Sequence, residues 1–210
     1  MNVRSQKQGR GRPRTGGKRD DIMDAALALF AERGFHGAAI PDIAERAGVA
    51  PATIYSHFAG KVELVNELYR RAKLALGAAL LTSVPAAAPM RDQFAALWRA
   101  LVRFAREQPR AFAFLELHHH GDYLDDASRA LELRVLTPIA EVLELGRRRG
   151  VTKDLPPHPL IVTVWGAFVG MIKAARLGYF ELSDDVCAQV EATCWDAIRA
   201  PAPATGETRS

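Results

Sequence analysis

The chain has 210 residues and a net charge of +4, from 28 lysines and arginines against 24 aspartates and glutamates, and it is long enough to bury a real core in two small domains. Its longest apolar run, Leu160 to Ile172, is too short to cross a bilayer, and no apolar leader of the signal-peptide type opens the sequence. A cytoplasmic protein with no membrane partner is expected.

Charge is unevenly placed. Residues 1–19 carry seven basic side chains and no acid, whereas the remainder has a net charge of −3. A nearly neutral body with a basic leader is the pattern of a nucleic-acid-binding arm. Within it, Gly9-Arg10-Gly11-Arg12-Pro13-Arg14 is similar to the core of an AT-hook. Glycine and proline keep such a strand thin and extended, so that Arg10, Arg12 and Arg14 can lie in a narrow minor groove. Residues 1–19 are therefore expected to be a disordered basic arm that contacts DNA.

A first helix follows, with Ile22, Ala25, Ala26, Leu29 and Phe30 on one face and Gly34 closing it. Ile40, Ile43, Ala44 and Ala47 then repeat at helical spacing. Gly48 stops that short helix through a left-handed turn, and Pro51 suits the first turn of the next. Ile54 and Phe58, four residues apart, pack back on the preceding helix together with Val49. Two apolar helices joined by so short a glycine turn match the helix-turn-helix. Ala52 and Ser56 point most directly away from the buried pair, with Thr53 and Tyr55 on the flanks. Small and hydroxyl-bearing residues fit a major groove, and no acid occurs from Val49 to Gly60.

The segment Asp21 to Leu68 resembles the N-terminal domain of the tetracycline-repressor (TetR) family. The resemblance rests on Ala25-Ala26, Leu29-Phe30, Gly34-Phe35, Ile43-Ala44, Ala47-Gly48-Val49, and Thr53 through Phe58 followed by Lys61. It implies that Thr53, Tyr55, His57 and Lys61 touch the DNA backbone and that Pro51, Ala52 and Ser56 face bases. Ala39 departs from the pattern, standing where a Ser or Thr cap is usual; a missing cap typically costs ~1 kcal/mol. Gly60 likewise replaces the commoner Ser or Asn.

The spacing predicts a long helix from Lys61 to about Leu81, with Val65, Leu68, Tyr69, Ala72 and Leu76 on one side. The Val84–Pro89 stretch breaks the chain, although the domain boundary is placed earlier, near residue 65. Further helices are expected at about 90–107, 109–121, 126–149, 158–178 and 183–199, the third interrupted at Thr137-Pro138 by a kink or a fresh start. The 158–178 helix is apolar nearly all round, which requires burial, and carries Gly166, Gly170 and Ala174 at four-residue spacing. The last helix offers Val186, Val190, Thr193 and Ala197. An intrachain core and a subunit interface both fit this pattern; the resemblance implies that the two helices pair with their copies in a homodimer. Residues 200–210 are expected to be a disordered tail.

No phosphate-binding loop, nucleophile elbow or paired-cysteine zinc motif occurs, so neither an enzyme nor a cofactor is expected. Cys187 and Cys194 lie two helical turns apart, ~10.5 Å, too far for a disulfide. His118-His119-His120 cannot all reach one ion from a helix, since consecutive side chains diverge by 100°, and no metal site is assigned. The resemblance implies a ligand cavity in the C-terminal domain, for which the candidates are Trp98, Phe114, Glu116, His118, His119, Tyr123, Arg134, Trp165 and Phe168.

The expected architecture is all-α: a three-helix DNA reader over residues 20–65 and a larger helical ligand-binding and dimerisation domain over 66–199. The expected function is that of a homodimeric repressor released from a palindromic operator in double-stranded DNA by a small, largely apolar effector. An architectural DNA-binding protein without a ligand and a metal-responsive regulator are the rivals.

Overall fold

The computed structural model describes residues 17–116 and 120–201. These residues form nine helices: α1 (Lys18–Gly37), α2 (Ile40–Ala47), α3 (Pro51–Tyr55), α4 (Lys61–Leu81), α5 (Met90–Glu107), α6 (Pro109–Glu116), α7 (Asp126–Arg148), α8 (Pro157–Arg176) and α9 (Asp184–Ile198). Among the described residues the one β feature is an isolated bridge between Thr152 and Arg199. The class is all-α.

Local chemistry explains the first three helices. Asp20 and Asp21 sit in the first turn of α1, where carboxylates complement the helix dipole. Its apolar face, including Ile22, Ala26, Leu29 and Phe30, is buried. Gly34 breaks the helical path with φ 69° and ψ 179°, and one more turn carries the chain to Gly37. Ala39 supplies no side-chain cap to α2, so that helix depends on its C-terminal end. There Gly48 adopts φ 67°, its N–H reaching Glu45 O while Val49 N–H reaches Ala44 O. This paired closure satisfies two orphan carbonyls and fixes the turn angle. Ile54 and Phe58 are 0% and 1% exposed, each burial stabilising by roughly 1.5–3 kcal/mol, and they clamp α3 to the bundle.

α4 joins the two halves. Its residues Leu64, Val65, Leu68, Tyr69, Ala72, Leu76 and Leu80 are buried, and it packs on α1, α5, α6 and α7. α1 also packs on α6, so a single apolar cluster runs from Ile22 to Ile198. Asp125 caps α7 by accepting the Ser128 N–H at 2.8 Å, and Ser183 caps α9 through Val186 N–H. α7 continues through Pro138, neither ending nor restarting there. Thr137 Oγ1 donates to Leu133 O at 2.9 Å beside the bond that the proline removes.

Four features differ from the sequence reading. α1 begins at Lys18, two residues inside the expected arm; Arg19 pairs with Glu67 and lies 5.0 Å from the Phe58 ring centroid, and these tertiary contacts recruit it. Ala200 is also held, its N–H donating to Val151 O at 2.9 Å; the rest of the expected arm and tail, residues 1–16 and 202–210, lies outside the described residues. α6 is described as far as Glu116, and His120, expected in the same helix, is non-helical and turns inward, its Nε2 bonded to Phe114 O. Finally, α8 is long and apolar enough to cross a membrane by length and composition, because its flanks extend the apolar run. Its Leu160, Val164, Phe168, Met171 and Ile172 are buried against the rest of the chain.

Candidate nucleic-acid interface and C-terminal polar cluster

The α2–α3 geometry presents a short, uncharged surface. Pro51, Ala52, Ser56 and His57 are exposed and Thr53 is half-buried, while Tyr55 is 58% exposed. A large aromatic left that open beside a fully buried Ile54 is available to a partner. α3 ends at Tyr55, with Ser56 as its C-cap, and the Ser56 hydroxyl donates to Thr53 O at 2.7 Å. Its oxygen lone pairs stay free to accept from a base amino group. Gly60 caps α4 without a side chain; Glu63 compensates by accepting the Ala59 N–H.

Lys61 opens α4, half-buried, with its ammonium 4.2 Å from the centroid of the Phe35 ring. Burial lowers its pKa from the ordinary lysine value. Arg10, Arg12 and Arg14 lie outside the described residues.

Of the nine residues expected to line a ligand cavity seven are described, and these do not all come together. Trp98, Phe114 and Phe168 are core residues, each no more than 2% exposed; Trp98 meets Phe168 edge-on at 5.2 Å. Arg134 is exposed on α7, which removes it from any interior lining. Tyr123 stacks on Phe35 at 4.2 Å, at the junction with the helix-turn-helix. His118 and His119 lie outside the described residues. Two surface grooves, of about 480 Å³ between α1 and α4 and about 510 Å³ between α7 and α8, are lined by other residues. The cavity expected at Trp98, Phe114 and Phe168 rests on the family resemblance; in the isolated chain these three side chains are packed in the core.

Glu116 and Trp165 do come together. The Trp165 indole N–H donates to Glu116 Oε2 at 2.9 Å, and they belong to a larger cluster that sequence reasoning missed. Lys73 of α4, 7% exposed, sits 4.0 Å from Glu116 and 3.4 Å from Glu132 of α7. Its ammonium also lies 5.6 Å from the Tyr69 ring centroid. Burial raises the Glu116 pKa, opposed by Lys73 and by the Trp165 N–H. Burial and the Glu132 carboxylate push the Tyr69 hydroxyl well above its ordinary value. The available signal was polar: Asn66 and Lys73, seven residues apart, share a face with Tyr69 on a helix whose apolar stripe already accounts for its packing.

The small-residue stripe is open. A Cβ added at Gly166 or Gly170 would meet nothing within 4 Å, Val162 is 71% exposed, and Ala167 is exposed beside them. Ala174, Val186, Val190 and Ala197 are half-buried. The expectation that α8 is buried on every side is corrected for the isolated chain: one face enters the core and the other is uncovered. Cys187 and Cys194 are buried thiols, and burial raises the pKa of each.

Residues 22–68 match the family described as bacterial regulatory proteins, tetR family, and residues 70–200 match the tetracyclin repressor-like C-terminal domain. The chain belongs to the TetR family. Members of the TetR family are transcription regulators rather than enzymes. The HTH-type transcriptional repressor KstR2 of Mycobacterium tuberculosis is 43% identical over 53 residues, 25% of this chain and 26% of that protein. The HTH-type transcriptional activator FasR of Mycolicibacterium smegmatis is 26% identical over 120 residues, 57% of this chain and 53% of that protein. The match thus spans about a quarter to a half of the length of these relatives. A crystal structure of a tetR family regulator from Shewanella sp. PV-4 shares the fold with TM-score 0.77 at 24% identity, covering 89% of this chain and 100% of that one.

Proposed function

We propose that this TetR-family chain is a homodimeric DNA-binding repressor, released from a palindromic operator by a small, largely apolar ligand. The observation that carries the reading is α3: Ile54 and Phe58 are sunk in the core while Ala52, Tyr55, Ser56 and His57 stand exposed on the same short segment. Thr53, Tyr55, His57 and Lys61 hold phosphates, and Pro51, Ala52 and Ser56 meet base edges. Residues 20–65 act as the reader and 66–199 as the sensing and dimerising unit, with α4 common to both. The uncovered face of α8 at Gly166 and Gly170, together with α9, supports the homodimer, since small residues let a partner helix approach closely. The repressor sense follows KstR2, which shares the reader at the higher identity; FasR, an activator, supplies the alternative.

The test is selection of bound genomic fragments by the purified full-length protein. Compounds that raise its melting temperature are then titrated against the selected DNA. Recovery of one promoter palindrome, with binding weakened by such a compound, supports the proposal. Uniform coating of AT-rich DNA that no bound compound weakens would establish the architectural rival instead.

A further inference from the structure

Phe35 sits between two parts of the molecule. It lies just beyond the Gly34 break in α1, and two groups approach its ring at the same distance: the Lys61 ammonium at 4.2 Å and the Tyr123 ring, centroid to centroid, at 4.2 Å with the planes 21° apart. Two partners that close cannot share one face, so Phe35 is sandwiched. An ammonium over an aromatic face is drawn by the ring quadrupole, and partial burial deprives Lys61 of some of its competing water.

Tyr123 is itself held from the C-terminal side. Its carbonyl accepts from Asn66 Nδ2 at 2.8 Å, and its hydroxyl bonds to His120 Nδ1 at 2.7 Å. A carbonyl only accepts, so the contact between His120 Nε2 and Phe114 O places a ring proton on Nε2; in the neutral ring Nδ1 then accepts from Tyr123. Burial pushes the Tyr123 pKa up to about 12, which keeps that donor protonated. The His120 ring lies 4.9 Å from Phe114 and 5.4 Å from Tyr69, and Tyr69 is the ring next to Lys73. Contacts therefore run without a gap from the buried polar cluster to the first residue of α4.

We propose that Phe35 and Tyr123 are positioning residues for Lys61, setting where its ammonium lies against the DNA backbone. A shift of the 120–125 loop then changes DNA affinity without altering α3. This rests on the reading of Lys61 as a phosphate contact. Physical connection between groups is not yet energetic coupling, and a double-mutant cycle measures the coupling.

The full-length protein is titrated onto a random-sequence duplex over a range of salt concentrations, which reads phosphate contacts alone. Helical content and the DNA-competent fraction are checked for each variant. Lys61→Ala should weaken binding and flatten the log–log salt slope by ~0.9 for each phosphate no longer neutralised. Tyr123→Leu and Phe35→Leu should each weaken binding by about threefold to thirtyfold, the scale of one cation–π interaction, and flatten the slope toward that of Lys61→Ala. Tyr123→Phe keeps the stack and should restore binding. Adding Tyr123→Leu to Lys61→Ala should cost nothing further. An unchanged slope in Lys61→Ala defeats the phosphate reading itself. A flattened slope there, with wild-type binding in Tyr123→Leu and Phe35→Leu or with fully additive effects in the double variant, overturns the positioning role alone.

Discussion

Asn66 Oδ1 accepts the backbone N–H of Asp125 at 2.9 Å, tying α4 to the start of α7 across 59 positions of sequence. The same oxygen accepts from Ser128 Oγ at 2.9 Å, and the amide nitrogen donates to Val62 O and Tyr123 O. Every hydrogen-bonding group of this 1%-exposed side chain is used. Asn66→Ala is expected to destabilise by about 1–3 kcal/mol for each buried group left unpaired. Urea unfolding checks this, with the midpoint falling and the slope unchanged. A loss below about 0.5 kcal/mol, the range of ordinary surface substitutions, would mean that water replaces the amide.

Glu116 predicts a pH dependence of definite sign. Its pKa is raised by burial above the ordinary 4.5, so the folded state holds the proton more tightly than the unfolded chain does. The stability this contributes is present below 4.5 and is lost as pH rises through the folded value. Glu116→Gln retains an acceptor for the Trp165 N–H without the charge. Denaturation at several pH values should show the variant gaining on wild type as pH increases. Wild type gaining on the variant instead would show that the Lys73 pairing outweighs the cost of burial.

The uncovered face of α8 separates partner contacts from internal packing. A Cβ at position 170 meets nothing within 4 Å in the isolated chain, and helix propensity favours leucine over glycine. Gly170→Leu should therefore leave the monomer's fold intact yet weaken self-association, overpacking typically costing about 1–3 kcal/mol. Sedimentation over a range of concentrations gives the answer. Identical association by wild type and variant would move the interface elsewhere.

Within the reader, Tyr55→Ala should weaken binding to all sequences alike, whereas Ser56→Asn should change which bases are preferred. Sites selected in parallel by wild type and each variant test the division. The same consensus from wild type and Ser56→Asn would remove Ser56 from base readout.

Deleting residues 1–17 removes Arg4, Lys7, Arg10, Arg12 and Arg14. The salt slope should flatten by ~0.9 for each phosphate that the arm neutralises. An unchanged slope would show that the arm does not touch DNA.

The legible parts of the fold were those decided by local chemistry. Gly48, Pro51 and the Ile54–Phe58 pair placed the helix-turn-helix because each acts through its own backbone or its immediate neighbours. Lys61–Leu81 and Met90–Glu107 emerged at their observed bounds for the same reason. What escaped was decided at long range. Lys18 and Arg19 read as arm until Glu67 and Phe58 are brought beside Arg19. The inward turn of His120 depends on the Phe114 carbonyl. Lys73 and Glu132, 59 positions apart, have no local pattern that announces their pairing. Aromatic spacing did not separate Trp98 and Phe168, which fill the core, from residues free to meet a ligand.

The most direct measurement is a footprint of the full-length protein on a selected genomic fragment, together with the stoichiometry of the complex. Two copies of α3 held by one dimer should protect two inverted half-sites about 34–36 Å apart, one turn of duplex, or a multiple of that distance. Bases should be read at the centre of each half-site and phosphates on its flanks. One monomer on a single half-site, or even protection with no repeated element, would contradict the account.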